Sequence, residues 1–196
     1  MPKTVEFFFD FGSPTSYLAF TQLPRLAAEA GAEIAWRPML LGGVFKATGN
    51  ASPVTVPAKG RWMFTDMARW AQRYGVALSH NPHFPVNTLT LMRIATGLQM
   101  QRPLDFIAYC ELTYAALWQR QQNLGDAAVL AAALAGAGFE PDALLALAAL
   151  PDVKARLVAV TDEAVARGVF GAPTCFVGEQ MFFGQDRLDF VREALR

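Results

Sequence analysis

The beginning of the chain runs an aromatic segment, a short polar turn and a long helix-forming segment together without a linker. Val5–Phe9 is rich in apolar and aromatic residues, which predicts a buried strand. Ser13 and Pro14 follow the turn, and they are a favoured helix N-cap and the proline that the first helical position tolerates. The pattern then predicts a helix over Pro14–Ala30. Taken alone, this Ser-Pro pair marks only an ordinary helix start.

A glycine stop and a second strand follow at once. Gly31 ends the predicted helix, and Glu33–Arg37 has the character of a strand that Pro38 stops. A strand, a helix and another strand at this spacing predict a parallel pair joined by a right-handed crossover.

The middle of the chain changes from loop to helix. Gly42–Gly60 is rich in Gly, Pro, Ser and Thr, and we expect a long irregular loop, which in a compact domain is usually functional. Helical periodicity follows, interrupted at glycines and prolines. The predicted helices are Arg61–Tyr74, Thr88–Gln101, Pro103–Trp118, Asp126–Ala137, Pro141–Leu150 and Pro151–Arg167.

Strand character returns near the end of the chain. Thr174–Val177 and Gln180–Phe183 are predicted strands, and Gly178 and Glu179 form the hairpin turn between them. A last helix is expected over Asp186–Leu195.

This order of elements fits an α/β, thioredoxin-like fold with an all-helical domain inserted after the second strand. We assign residues 1–40 and 151–196 to the thioredoxin-like domain, and residues 41–150 to the loop and the inserted helical domain.

The turn before the first helix lacks the thiols that redox members of this fold carry. There, Cys-x-x-Cys occupies the helix N-terminus, which lowers the thiol pKa. Here the four positions are Ser13, Pro14, Thr15 and Ser16. A site of this kind would bind a thiol from another molecule rather than supply its own.

A second proline fits the same interpretation. Pro173 follows Ala172 at the start of the third predicted strand, a position where proline is tolerated. In thioredoxin folds this proline is cis and presents the backbone of the preceding residue to an extended thiol peptide. A trans proline that simply begins a strand is the alternative.

Composition excludes several classes of function. The 196 residues are 53% hydrophobic and 17% charged, with a formal net charge of zero, which argues against nucleic acid as a partner. No apolar run spans a bilayer and no signal-peptide pattern precedes the first strand, so no membrane partner and a cytoplasmic location are expected. Cys110 and Cys175 are interpreted as buried apolar residues, and with only His80 and His83 no metal site is predicted.

Short motifs along the whole chain give it a specific resemblance. The chain resembles the 2-hydroxychromene-2-carboxylate isomerases, which are related to the kappa-class glutathione transferases and to the DsbA-like branch of the thioredoxin superfamily. The matching segments are Phe9–Ala19, Arg37-Pro38, Leu41-Gly42-Gly43, Gly49-Asn50, Arg69-Trp70-Ala71, Phe84–Thr88, Gly168–Thr174 and Phe183–Leu188.

The resemblance implies glutathione as the cofactor. Ser13 would be the catalytic residue, donating a hydrogen bond to the glutathione sulfur, and the helix N-terminus would also favour the thiolate. The backbone of Ala172, before Pro173, would pair with the cysteinyl part. Gln185 and Asp186 would hold the γ-glutamyl end, although Asp186 is also a candidate N-cap of the last helix.

Other residues receive roles with less support from their own chemistry. By resemblance, Asn50 contacts glutathione or substrate. Lys59 or Lys46 pairs with a carboxylate of the glycine end of glutathione or of the aromatic substrate, although lone surface lysines are usually only solvated. Phe84, together with Trp62 and Tyr114, is a candidate wall of a flat apolar substrate pocket, although most aromatics in such helices are core.

The reaction implied by the resemblance interconverts 2-hydroxychromene-2-carboxylate and trans-o-hydroxybenzylidenepyruvate, by reversible addition of the glutathione thiolate, in the breakdown of aromatic hydrocarbons. A kappa-like glutathione transferase is the first alternative. A non-catalytic DsbA-like peptide-binding module is the second. Family members are commonly dimers, so we expect a homodimer.

Overall fold

A computed structural model describes residues 3–196, and its centre is a four-stranded mixed sheet. The strands lie in the order β2-β1-β3-β4. As predicted, β1 and β2 are parallel, while β3 is antiparallel to both β1 and β4. The strand bounds are β1 (Thr4–Phe9), β2 (Glu33–Pro38), β3 (Thr174–Val177) and β4 (Gln180–Phe183).

The helices follow the predicted order with one addition. They are α1 (Pro14–Ala30), α2 (Leu41–Thr48), α3 (Pro57–Tyr74), α4 (Leu89–Gln101), α5 (Pro103–Trp118), α6 (Ala127–Gly136), α7 (Pro141–Ala149), α8 (Pro151–Ala166) and α9 (Leu188–Ala194). Single 3₁₀ turns cover Pro53–Thr55 and Gln185–Arg187.

The prediction of an irregular loop over Gly42–Gly60 is wrong. Leu41–Thr48 is a helix, and α3 begins at Pro57, four residues before its predicted start. The N-cap residue Leu40 makes no side-chain hydrogen bond, so α2 depends on acceptors elsewhere in the chain. The amide of Leu40 donates to Thr161 Oγ1 at 3.0 Å, and that of Leu41 to Asp10 Oδ2 at 2.8 Å.

The two faces of the sheet are covered by different helices because side chains alternate along β1. Phe7 and Phe9 are fully buried in the larger core cluster with residues of α1 and α9. Phe8 points to the other face, where it packs with Val160 of α8 and Val44 of α2.

The larger core is continuous through the helices between β2 and β3. Phe11, at the end of the first turn, packs edge-to-face on Tyr114 of α5 with 4.9 Å between the ring centroids. The indole Nε1 of Trp118 donates to the carbonyl of Phe11 at 2.8 Å. Both contacts anchor the helices directly behind the polar turn that follows β1.

The helices carry no membrane-spanning segment or metal cluster within residues 3–196. None of them combines the length and apolar character that crossing a membrane requires. The same residues bring no group of three His, Cys, Asp or Glu side chains to one point where a metal ion could bind.

Candidate active site

The hydroxyl of Ser13 lies at the N-terminus of α1, as the Ser-Pro pattern predicts. Ser13 is the N-cap residue, and its Oγ accepts from the amide of Ser16 at 3.1 Å. Its own amide is held by the carbonyl of Asp10 at 3.1 Å. The first turn of α1 itself carries no acidic side chain, and the acid nearest to it in sequence is Asp10.

The peptide bond between Ala172 and Pro173 is cis, as expected for a thioredoxin-like fold, and it lies against this turn. Ser13 Oγ donates to the carbonyl oxygen of Ala172 at 2.9 Å. Thr15 Oγ1 donates to the same carbonyl at 3.1 Å and lies 2.9 Å from Ser13 Oγ. Two hydroxyl groups and one backbone carbonyl therefore share a single small polar cluster, whose serine is only 4% exposed.

Asp10 is a buried charged residue beside the Ser13 turn, and no role was predicted for it from the sequence. Its side chain is 1% exposed, and burial raises the pKa of the carboxyl while its hydrogen bonds lower it. Oδ1 accepts from the Gly12 amide at 2.8 Å and from Thr88 Oγ1 at 2.7 Å, and Oδ2 accepts from the Leu41 amide at 2.8 Å. The sequence signal that could have identified this position is an acidic residue directly after an aromatic strand.

Asn50 reaches the segment before the cis proline, although it is exposed. It follows Gly49, which ends α2 with a left-handed φ of 71°. The Nδ2 of Asn50 donates to the carbonyl of Phe170 at 2.8 Å. Since Phe170 is two residues before Ala172, this hydrogen bond brings Asn50 to the same end of the sheet as Ser13.

Gln185 and Asp186 approach the site from the other side of the cis proline. The amide of Gly184 donates to the carbonyl of Pro173 at 3.0 Å. Gln185 is buried, and its carbonyl accepts from the hydroxyl of Tyr74 at 2.6 Å.

The predicted N-cap role of Asp186 is wrong. Asp186 lies in the 3₁₀ turn before α9, which begins at Leu188, and no side chain caps that helix. Its carboxylate instead accepts from Arg187 Nη1 at 2.6 Å. It also lines a polar cleft of about 390 Å³ to which α1 and α3 contribute. The Asp186 carboxylate is thus paired with Arg187 but partly exposed, and the cleft that it lines does not include Ser13.

The two lysines stand apart from this cluster. Lys46 lies in the last turn of α2 and Lys59 near the start of α3, and both are exposed. No hydrogen bond or ion pair of the described residues ties either of them to the Ser13 turn.

The three candidate aromatic residues do not wall one pocket. Phe84 is half-buried against Trp118, with 5.8 Å between the ring centroids. Trp62 is 64% exposed, whereas Tyr114 is 1% exposed. Tyr114 lines a separate apolar cleft of about 610 Å³ between α1 and α5. The expectation failed because Tyr114 packs on Phe11, inside the core, rather than beside Phe84.

The cysteines and histidines lie outside the polar cluster. Cys110 and Cys175 are free and buried, as predicted, and burial raises the pKa of Cys175 to about 12. His80 and His83 are exposed, and His80 packs on Phe64. No thiol of the described residues lies at the turn, and the raised pKa of both buried cysteines favours the protonated thiol over the nucleophilic thiolate at neutral pH.

Comparison with known proteins shows similarity over nearly the full length. The family model described as a DSBA-like thioredoxin domain matches residues 4–196. The chain is 34% identical to 2-hydroxychromene-2-carboxylate isomerase of Sphingobium xenophagum, covering 100% of the chain and 99% of that protein. It is 29% identical to glutathione S-transferase kappa 1 of Homo sapiens, covering 100% of the chain and 92% of that protein.

The similarity to solved structures is consistent with the similarity to these relatives. A structure of 2-hydroxychromene-2-carboxylate isomerase superposes with a TM-score of 0.84 at 29% identity, covering 98% of the chain and 94% of that structure. A probable DsbA oxidoreductase from Streptomyces coelicolor superposes with a TM-score of 0.74 at 17% identity, covering 98% of the chain and 88% of that structure. The second similarity concerns the fold alone.

Proposed function

The chain belongs to the DSBA-like thioredoxin family, with 2-hydroxychromene-2-carboxylate isomerases and kappa glutathione transferases among its relatives, and on that premise we propose a glutathione-dependent isomerase. Its substrates would be 2-hydroxychromene-2-carboxylate and trans-o-hydroxybenzylidenepyruvate, or closely related aromatic pyruvates. A homodimeric, cytoplasmic enzyme of aromatic catabolism belongs to the same proposal.

The observation that carries the proposal is the hydroxyl of Ser13 at a helix N-terminus, 2.9 Å from the carbonyl of Ala172. A hydroxyl donor and the positive end of α1 both favour a bound thiolate over a thiol. Because the turn has no cysteine, Ser13 activates a sulfur atom from another molecule and is not itself the nucleophile.

The residues around the cis proline fit the peptide part of glutathione. The backbone of Ala172, beside Pro173, would pair with an extended cysteinyl unit. Gln185 and Asp186 would bind the γ-glutamyl end, where the carboxylate of Asp186 suits an ammonium group. Asn50 and Lys59 would contact the remaining carboxylate end.

Glutathione, when bound, would supply a thiolate that adds reversibly to the electron-poor carbon of the unsaturated substrate, so that a double bond becomes a rotatable single bond. The protein would hold the Ser13 proton at the sulfur, which stabilises the anion before addition and after elimination. Lys46 and Phe84 are proposed to contact the carboxylate and the ring of the substrate.

A kappa-like transferase is the second candidate, because the human kappa relative is 29% identical over the whole chain. The same residues would serve both reactions. Product analysis distinguishes them, since an isomerase returns free glutathione and a transferase releases a conjugate.

The first experiment measures glutathione binding by calorimetry, together with the ultraviolet absorbance of the bound thiolate. Ser13→Ala should weaken binding about 10- to 100-fold, as expected for a lost hydrogen bond to a charged group, and should reduce the thiolate absorbance at neutral pH. Ser13→Gly is the matched control, because glycine as N-cap weakens a helix by only a few tenths of a kcal/mol. Equal losses in both variants therefore reflect the hydroxyl and not helix fraying.

An absence of glutathione binding would contradict the proposal. A wild-type protein that does not bind millimolar glutathione has no cofactor site of this kind. Binding of an extended polypeptide in its place would favour the peptide-binding module.

A further inference from the structure

We propose that Asp10 is a positioning residue, whose buried carboxylate holds the three parts of the candidate site in one arrangement. These parts are the Ser13 turn, the helix α2 that leads to Asn50, and the loop from Phe84 to Thr88. The inference rests on the proposed function for its chemical meaning, but its structural claim stands on contacts alone.

The first contact fixes the turn. Asp10 Oδ1 accepts from the Gly12 amide at 2.8 Å, and the Asp10 carbonyl accepts from the Ser13 amide at 3.1 Å. One residue therefore binds both amide groups immediately before the Ser13 hydroxyl. A shift of the Asp10 side chain moves the peptide that carries Ser13.

The second contact fixes the start of α2. Oδ2 accepts from the Leu41 amide at 2.8 Å, and Leu41 is the first residue of that helix. Because Leu40 provides no side-chain cap, Asp10 satisfies one of the helix's free amide groups from 31 positions away. The other end of α2 leads through Gly49 to Asn50, which contacts the segment before the cis proline.

The third contact fixes the loop before α4. Thr88 Oγ1 donates to Asp10 Oδ1 at 2.7 Å, and for this reason Thr88 makes no capping hydrogen bond to its own helix. The methyl group of Thr88 lies so close to Gly12 that a Cβ there would be 3.2 Å from it. The same loop carries Phe84, so the candidate substrate side is joined directly to the turn.

The contacts suit an ionised carboxylate, because its two oxygens can accept from all three partners of the side chain, while burial acts against the charge by raising the pKa of this carboxyl. Gly12 and Leu41 contribute backbone amides, which can only donate, and Thr88 contributes its hydroxyl proton. Asparagine has the same shape, but its NH₂ group would face one of the two amides. Either orientation of the amide therefore leaves a donor without an acceptor in a buried position.

These three hydrogen-bond donors stabilise the charge of Asp10, and Asp10 forms no ion pair among the described residues. Tyr114 of α5 is a titratable neighbour, and burial raises the pKa of its phenol, with a smaller contribution from the Asp10 charge. Burial of the carboxylate is therefore a cost that its three donors offset, which is typical of a buried group retained for geometry.

The test compares Asp10→Asn with a pair of variants at its partner, Thr88→Val and Thr88→Ser. We expect Asp10→Asn and Thr88→Val each to weaken glutathione binding about tenfold, as for one lost hydrogen bond at a charged group. Both should also reduce the thiolate absorbance. Thr88→Ser keeps the hydroxyl and should restore both signals to within about twofold.

Thr96→Val is the matched control on the same helix. Thr96 is buried like Thr88, and its hydroxyl donates only to the Met92 carbonyl within α4, at 2.8 Å. Unchanged glutathione binding in this variant shows that loss of a buried threonine hydroxyl is not by itself sufficient to weaken binding. If Thr96→Val weakens binding as strongly as Thr88→Val, the proposal is overturned.

Amide hydrogen exchange separates this inference from the proposed function, because it needs no ligand. In Asp10→Asn and Thr88→Val, the amides of Gly12 and Leu41 should lose protection together. Protection equal to wild type at both amides overturns the coupling, whether or not glutathione binds. If the wild type does not bind glutathione but the two amides lose protection together in the variants, the proposed function is contradicted and the positioning role of Asp10 is supported. If Asp10→Asn does not fold, the two Thr88 variants decide the question.

Discussion

Ser13 and Thr15 share one backbone carbonyl, and under the proposed function this shared acceptor would affect how the site responds to a ligand. Both hydroxyls donate to Ala172, at 2.9 Å and 3.1 Å, and they lie 2.9 Å from each other. When Ser13 turns its proton toward a bound sulfur, Thr15 can keep its hydrogen bond to Ala172 or donate to the Ser13 oxygen. Under the proposed function, Thr15 would therefore lower the free-energy cost of redirecting the Ser13 proton.

Thr15→Val tests this role at the scale of one hydroxyl. We expect glutathione binding to weaken about 2- to 10-fold, because a neutral hydrogen bond contributes about 0.5–1.5 kcal/mol. Calorimetry on Thr15→Val and Thr15→Ser measures the effect, and the serine variant should remain close to wild type. A loss as large as that of Ser13→Ala would mean that Thr15 itself binds the sulfur.

Local patterns predicted individual residues well where their partners are close in sequence. Ser13 is the N-cap that the Ser-Pro pair indicates, and Gly31 ends α1 with a left-handed φ of 62°. Asp10 received no role because its partners, Leu41 and Thr88, are 31 and 78 positions away. The pairing of a buried carboxylate with distant donors leaves no local sequence pattern.

At the scale of elements, helix α4 depends on a glycine for its packing. A Cβ on Gly97 would lie 2.6 Å from Leu147 Cγ of α7, so the two helices approach more closely than any larger residue allows. Glycine normally weakens a helix interior by about 1 kcal/mol relative to alanine, and here close packing offsets that cost.

Gly97→Ala should therefore destabilise the protein by about 1–2 kcal/mol, because overpacking outweighs the gain in helix propensity. Chemical denaturation measures the change. Gly136→Ala is the matched control in α6, since nothing lies within 4 Å of the added Cβ, and it should be neutral or stabilising. In the background of Leu147→Ala, the effect of Gly97→Ala should shrink, and an equal penalty in both backgrounds would contradict the proposed clash.

Elements were predicted well when their ends are marked by proline, glycine or strand alternation. Helix α5 and strands β3 and β4 have the predicted bounds. Helix α2 was missed because glycines at its start suggested a loop, while its stabilising acceptors belong to Asp10 and Thr161. The start of the last helix was misplaced because Gln185–Arg187 forms a 3₁₀ turn.

At the scale of the molecule, a single large core links the parts that the sequence analysis assigned to two domains. The core cluster includes Phe9 of β1, Leu18 of α1, Ile94 of α4, Tyr114 of α5 and Leu144 of α7. The domain division itself stays a prediction. The shared core argues that the two parts do not unfold independently.

We expect one cooperative unfolding transition for the whole chain. Tryptophan fluorescence reports on the surroundings of Trp36 in β2, of Trp62 and Trp70 in α3, and of Trp118 in α5. Circular dichroism reports on all helices. The two signals should give the same midpoint in chemical denaturation, because a shared core unfolds as one unit. Separate midpoints would show that the helical part is an independently folding domain.

A hydroxyl in the position of a thiol also frees the turn from the redox potential of its surroundings. Serine forms no disulfide and no sulfenic acid, and the two cysteine thiols lie buried in the core. An oxidising environment would leave the side chains of Ser13 and Ser16 chemically intact, whereas it would oxidise a diffusible thiol. Under the proposed function, the supply of reduced glutathione would therefore set the rate, and the oxidation state of the protein would not.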